Sequence, residues 1–103
     1  SIKNEALMEA LAKHIKQDGF LATANSHAIS NTAWAYATLG IHDETLMKCL
    51  AKRIMQDGFL STLNSQAVGN TLWAYAKLGI EVEALIAAFA DRIMQDGFLS
   101  TFN

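Results

Sequence analysis

Apolar residues recur along this chain at helical rather than strand spacing. Leu46, Met47, Leu50, Ala51 and Ile54 fall three or four apart, which puts them on one side of a helix. Residues 26–39 carry a wide apolar arc, and their polar positions cluster at 27, 30, 31, 34 and 38, one face of a helical wheel. Gly40 follows Leu39 and Gly79 follows Leu78, where glycine supplies the left-handed residue that closes a helix. Asn25–Ser26 and Asn64–Ser65 stand ahead of the same stretches as N-caps, and Asp43 with Glu44 opens the next one. The spacing predicts five helices: a leading helix over about 3–18, an A helix over 26–39, a B helix over 44–57, a second A helix over 65–78 and a second B helix over 83–96. The predicted fold class is all-α.

The pattern repeats every 39 residues without insertion. Residues 25–63 and 64–102 are identical at 25 of 39 positions, with Trp34 recurring as Trp73, Tyr36 as Tyr75 and Gly19 as Gly58 and Gly97. A strict period of this length predicts an α-solenoid of stacked antiparallel helix pairs, whose product is an extended surface. Residues 1–24 then form a partial repeat holding only the second helix and connector. Residues 25–63 and 64–103 are full helical-hairpin repeats, the last with a terminal connector. The Gln-Asp-Gly-Phe-Leu segments read as stops for the B helices. Gly58 closes the helix, Phe59 covers Ile54, and Phe20 with Ile15 and Phe98 with Ile93 repeat that closure. Asp57 and Asp96 would sit unfavourably at helix C-termini, so Arg53 and Arg92 are expected to pair with them. Lys13, Lys16, Lys48 and Lys52 are expected to form a solvated charged face.

Composition changes the picture in three ways. Apolar residues make up 51% of the chain and proline is absent. Mean hydropathy is +0.16, high for a small helical domain. Uncapped solenoid ends would explain this, so the chain is expected to belong to a longer array or to self-associate through its ends. The net charge of −2 gives no polybasic signal and counts against strong, non-specific nucleic-acid binding. No apolar run approaches the ~20 residues of a membrane span. The single Cys49 aligns with Ala10 and Ala88, a small packed position. His14, His27 and His42 lack metal-ligand spacing, and no phosphate-cradling loop is visible. No enzyme activity, metal or cofactor is expected.

The polar face of the A helices is the candidate site. In the first full repeat it holds His27, Ser30, Asn31, Trp34 and Thr38, and in the second Gln66, Gly69, Asn70, Trp73 and Lys77. The positions Asn31/Asn70 and Trp34/Trp73 repeat, whereas His27/Gln66, Ser30/Gly69 and Thr38/Lys77 vary. A modular reader repeats where it packs and varies where it reads, as in helical-repeat RNA binders. The varying positions are specificity candidates, with surface drift as the alternative. Trp34 and Trp73 are expected to pack against helix B or the next repeat, with base stacking as the alternative. Tyr36 and Tyr75 are expected in the core with the hydroxyl at its edge. Asn31 and Asn70 are expected either to bond the neighbouring repeat's main chain or to contact RNA. Arg53 and Arg92 are candidate phosphate contacts.

The run Asn70–Gly79 (Asn-Thr-Leu-Trp-Ala-Tyr-Ala-Lys-Leu-Gly) closely resembles the repeat motif of octotricopeptide repeat proteins, and Asn31–Gly40 is a variant of it. Related repeats occur in mitochondrial FAST-kinase proteins. The resemblance extends over the whole chain. It implies a solenoid of antiparallel helices and sequence-specific single-stranded RNA binding in chloroplasts or mitochondria, in the stability, processing or translation of organelle transcripts. It also admits a protein–protein interaction scaffold, including a structural component of an organelle ribosome. Two departures stand out: the proline that often follows Leu-Gly in the family is absent, and so is the C-terminal RAP domain of many members.

Overall fold

The computed structural model describes residues 2–17, 24–56 and 58–95. Five helices follow one another: α1 (Ile2–Lys16), α2 (Ser26–Leu39), α3 (Glu44–Ile54), α4 (Ser65–Leu78) and α5 (Glu83–Ile93), with a 3-10 turn at Leu60–Thr62. No strand occurs among the described residues. The fold is all-α, and α2 and α4 are the A helices.

Both A helices begin and end by the same chemistry. Asn25 Oδ1 accepts the Ala28 N–H at 2.9 Å, and Asn64 Oδ1 accepts that of Ala67 at 2.8 Å. At the other end Gly40 (φ +70°) and Gly79 (φ +68°) take the left-handed conformation. The Gly40 N–H then reaches the Ala37 carbonyl at 3.1 Å and the Ile41 N–H the Tyr36 carbonyl at 2.9 Å. Two carbonyls left open by the helix end are thereby satisfied. A Cβ built on Gly40 meets nothing within 4 Å, so only backbone strain opposes a side chain there. Gly40→Ala is therefore expected to cost about 1–2 kcal/mol, read as a lower urea midpoint. Gly40→Asn should recover part of it, because asparagine tolerates this conformation.

The B helices end at Ile54 and Ile93, three residues before the expected 57 and 96. The chain turns instead. The Gln56 N–H bonds the Arg53 carbonyl at 3.2 Å and the Phe59 N–H the Gln56 carbonyl at 3.0 Å, with Gly58 at φ +79°. Ser61 Oγ donates to the Gly58 carbonyl at 2.9 Å and Thr62 Oγ1 to the Phe59 carbonyl at 2.6 Å. Short hydroxyl side chains offer the backbone a local partner that competes with continued helix. The expected pairs Phe20–Ile15 and Phe98–Ile93, the residues Asp57 and Asp96, and the terminal connector lie outside the described residues.

The helices pack like with like. The most extensive contact between elements is α2 on α4, with α1 on α3 and α2 on α3. Ile15, Tyr36, Leu46, Leu50, Ile54, Val68 and Phe89 are buried between them. The tyrosine hydroxyls lie inside the core rather than at its edge. Tyr36 donates to the Met8 carbonyl at 2.5 Å, and Tyr75 donates to the Met47 carbonyl. Met8 and Met47 are 39 residues apart, so each A helix latches onto the B helix before it by the same bond. Asp43 has two tasks: Oδ1 accepts the Leu46 N–H at 3.0 Å, and Oδ2 pairs with Lys16 at 3.3 Å. Lys48 pairs with Glu44 at 2.9 Å. Lys16 and Lys48 are thus paired, not merely solvated as expected.

Burial raises the pKa of both tyrosines above the ordinary 10.0, with the Asp43 charge adding to the rise at Tyr36. The folded state thus holds the neutral phenols, and the unfolded state ionises first. The stability these phenols contribute should fall as pH rises past about 10. Urea midpoints from pH 8 to 11 check this, and the fall should shrink in Tyr75→Phe.

Candidate nucleic-acid interface

The polar face predicted for the A helices forms where α2 and α4 run side by side. Between their first turns lies a notch of about 100 Å³, lined by Ser26, His27, Ser30 and Asn31 on one side and Asn64, Gln66, Ala67 and Asn70 on the other. Of these, Ser26 and Asn64 enter the sequence reading only as caps. The signal for them was the Asn-Ser pair, which faces the next repeat as well as its own helix. Ser26 Oγ donates to the Thr62 carbonyl at 3.4 Å, across to the connector that leads into the next repeat.

The notch is rich in hydrogen-bonding groups and poor in charge. Lys and Arg are absent from its lining. Ser30 is only 3% exposed, yet its hydroxyl makes no hydrogen bond among the described residues. Neither do the side chains of His27, Asn31, Gln66 and Asn70. The bond to a neighbouring main chain expected of Asn31 and Asn70 is made instead by the tyrosines and, at the connectors, by the arginines. Opposite Ser30 in the repeat stands Gly69, where a Cβ would meet nothing within 4 Å. The volume equals about three waters at ~30 Å³ each. The notch can therefore accept the edge of a planar polar group but cannot enclose it.

One turn further along the same face come the tryptophans. Trp34 and Trp73 are each 46% exposed, more open than the packing expected of them. The equality is informative. Trp34 has the next A helix, α4, beside its own, whereas no A helix lies beyond α4 among the described residues. Adding a repeat therefore does not cover the indole, and its exposure belongs to the face itself. Thr38 and Lys77 are exposed beyond them. Helices α2 and α4 carry a single cation between them, Lys77.

Arg53 and Arg92 point elsewhere. Arg53 donates to the Ala24 carbonyl from Nε at 3.2 Å and Nη2 at 3.0 Å, and from Nη1 to Gln56 Oε1. Its guanidinium lies 4.4 Å from the centre of the Phe59 ring, a cation–π distance. Arg92 Nη2 donates to the Leu63 carbonyl at 3.2 Å and Nη1 to Gln95 Oε1 at 2.6 Å. Ala24 and Leu63 are equivalent residues, each just before an A-helix cap. The arginines thus tie the end of a B helix to the start of its own A helix. Arg53→Gln is expected to cost about 1–3 kcal/mol in urea unfolding and to leave any binding at the polar face unchanged.

Other chemistry is sparse. Cys49 is a free, half-buried thiol, and no cluster of three or more His, Cys, Asp or Glu occurs among the described residues. No described helix is long and apolar enough to cross a membrane. No family model matches the chain, and no curated protein or solved structure matches it either.

Proposed function

We propose that this chain binds single-stranded RNA along the shared face of α2 and α4, as units of an α-solenoid that address one base each. The observation that carries this is the pair of equally exposed indoles, Trp34 and Trp73, beside a notch where the side chains of His27, Ser30, Asn31, Gln66 and Asn70 make no hydrogen bond among the described residues. Indoles offer bases a stacking surface, and amides and hydroxyls read base edges. The varying residues His27/Gln66, Ser30/Gly69 and Thr38/Lys77 supply the difference between units. Asn31 and Asn70 supply the constant contact. Arg53 and Arg92 act in the scaffold. The resemblance to octotricopeptide repeat proteins supports a setting in organelle RNA metabolism, in the chloroplast or mitochondrion.

With one cation on the face, affinity rests on stacking and hydrogen bonds. One phosphate contact to a single strand gives a log–log salt slope of about −0.7, so binding is modest and weakly salt-dependent. The test is retention of a randomised single-stranded RNA pool at low and moderate salt, followed by sequencing. A short enriched motif should appear, and should change when His27→Gln is combined with Gln66→His. A folded chain that enriches no motif at either salt would overturn RNA reading. The uncharged notch lining would then favour the second reading, a scaffold that holds the main chain of an extended protein segment, as in an organelle ribosome.

A further inference from the structure

The two helix pairs carry the same repeat, identical at 25 of 39 positions, but end in different surroundings. Ala37 and Met47 are 0% exposed, whereas their equivalents differ: Ala76 is exposed and Ile86 is 50% exposed. The reverse holds on the other flank of the A helices. Thr71 and Ala74 are 0% exposed, whereas Thr32 and Ala35 are only half-buried. One face of each pair is therefore built to receive the opposite face of the next. At the α4–α5 end the receiving face is open. It forms an apolar cleft of about 710 Å³ that includes Leu72, Tyr75, Ala76, Ile80, Leu85 and Ile86.

We infer that this cleft is a docking site for one further A-type helix, the first helix of another 39-residue pair. The occupant follows from an interface already in the molecule. In the preceding pair the equivalent surface is filled by α4, which buries Val68, Thr71, Ala74 and Tyr75, packs extensively on α2 and donates the Tyr75 hydroxyl to the Met47 carbonyl of α3. Ile86 stands 39 residues after Met47, so its carbonyl is the acceptor for the next tyrosine. Leu72 and Ile86 replace Ala33 and Met47 in the cleft wall, and both are apolar, so the surface keeps its character. A second intact copy fits less well. Its own A helix already bonds α1 through Tyr36 and Met8, and docking would require that latch to break. This assignment is independent of RNA binding.

The test is to extend the chain by repeating residues 65–103 after Asn103, the position equivalent to Asn25 and Asn64. Hydrogen exchange and urea unfolding are then compared for the original and extended chains, each with and without Ile86→Lys. Ile86 is half exposed in the original chain, so Ile86→Lys should barely alter it. In the extended chain the α5 amides should gain about tenfold protection or more, in one cooperative transition, and Ile86→Lys should remove most of the gain. Replacing the added tyrosine by phenylalanine should reduce the gain. An added pair that melts separately, or a gain indifferent to Ile86→Lys, would overturn the assignment. So would a concentration-dependent dimer of the original chain that Ile86→Lys abolishes, since the cleft would then take a second copy.

Discussion

Tyr36→Ala is expected to lower stability by about 3–5 kcal/mol, the usual cost of removing a buried aromatic side chain. The ring is 1% exposed, and its hydroxyl donates to the Met8 carbonyl on α1. Truncation therefore opens a cavity and releases the latch between α1 and the first full pair. A domain of this size holds about 5–15 kcal/mol in total, so the variant should be close to unfolding. Tyr36→Phe separates the two effects. It keeps the ring and loses one hydrogen bond, a loss of about 1 kcal/mol. Hydrogen exchange should show α1 amides losing protection first, because α1 touches the rest of the molecule mainly through α3 and this latch. Equal losses for the alanine and phenylalanine variants would mean that the hydroxyl, not the ring, holds the helices together.

The second large effect concerns binding rather than folding. Trp34→Ala combined with Trp73→Ala should leave a cooperative helical fold, since both indoles are nearly half exposed. RNA affinity should fall by about 1–3 kcal/mol for each base that stacks, at least tenfold for the pair. Trp34→Phe with Trp73→Phe should retain much of the affinity, because phenylalanine still offers a ring. Arg53→Gln is the complementary control: it should weaken folding and spare binding. A filter or polarisation assay on the three variants separates these outcomes.

Much of the helical layout was legible in the sequence because local chemistry specifies it. The A helices begin at Asn caps and end at left-handed glycines, and both signals act within five residues. The B helices were read three residues too long because apolar periodicity does not mark the turn that follows them. Arg53 reaches 29 residues back to the Ala24 carbonyl, and the Ser61 and Thr62 hydroxyls build a turn that no periodicity reveals. The tyrosines read correctly as core, but their latch onto the preceding helix follows only from three-dimensional stacking. The polar face was legible as a cluster on a helical wheel. Its partition was not. A wheel cannot tell that Ser30 is nearly buried while Trp34 is half exposed, because the neighbouring A helix decides which side of the face becomes a wall. Arg53 and Arg92 read as partners of Asp57 and Asp96, with phosphate contact as a candidate, for the same reason: their charge is visible in the sequence, and the carbonyls they satisfy are not.

Trp34 and Trp73 are the only tryptophans in the chain, which makes fluorescence a direct report from the proposed interface. The most direct measurement is a titration of the folded chain with single-stranded RNA of mixed sequence at low salt, followed by indole emission. Bases stacking on the indoles should quench the signal to a saturating plateau, and duplex RNA of the same length should not. Each single Trp→Phe variant should keep part of the response. Emission that stays constant at RNA concentrations where the chain demonstrably binds would place the RNA elsewhere. Emission that stays constant with no binding at all would contradict RNA recognition by this face.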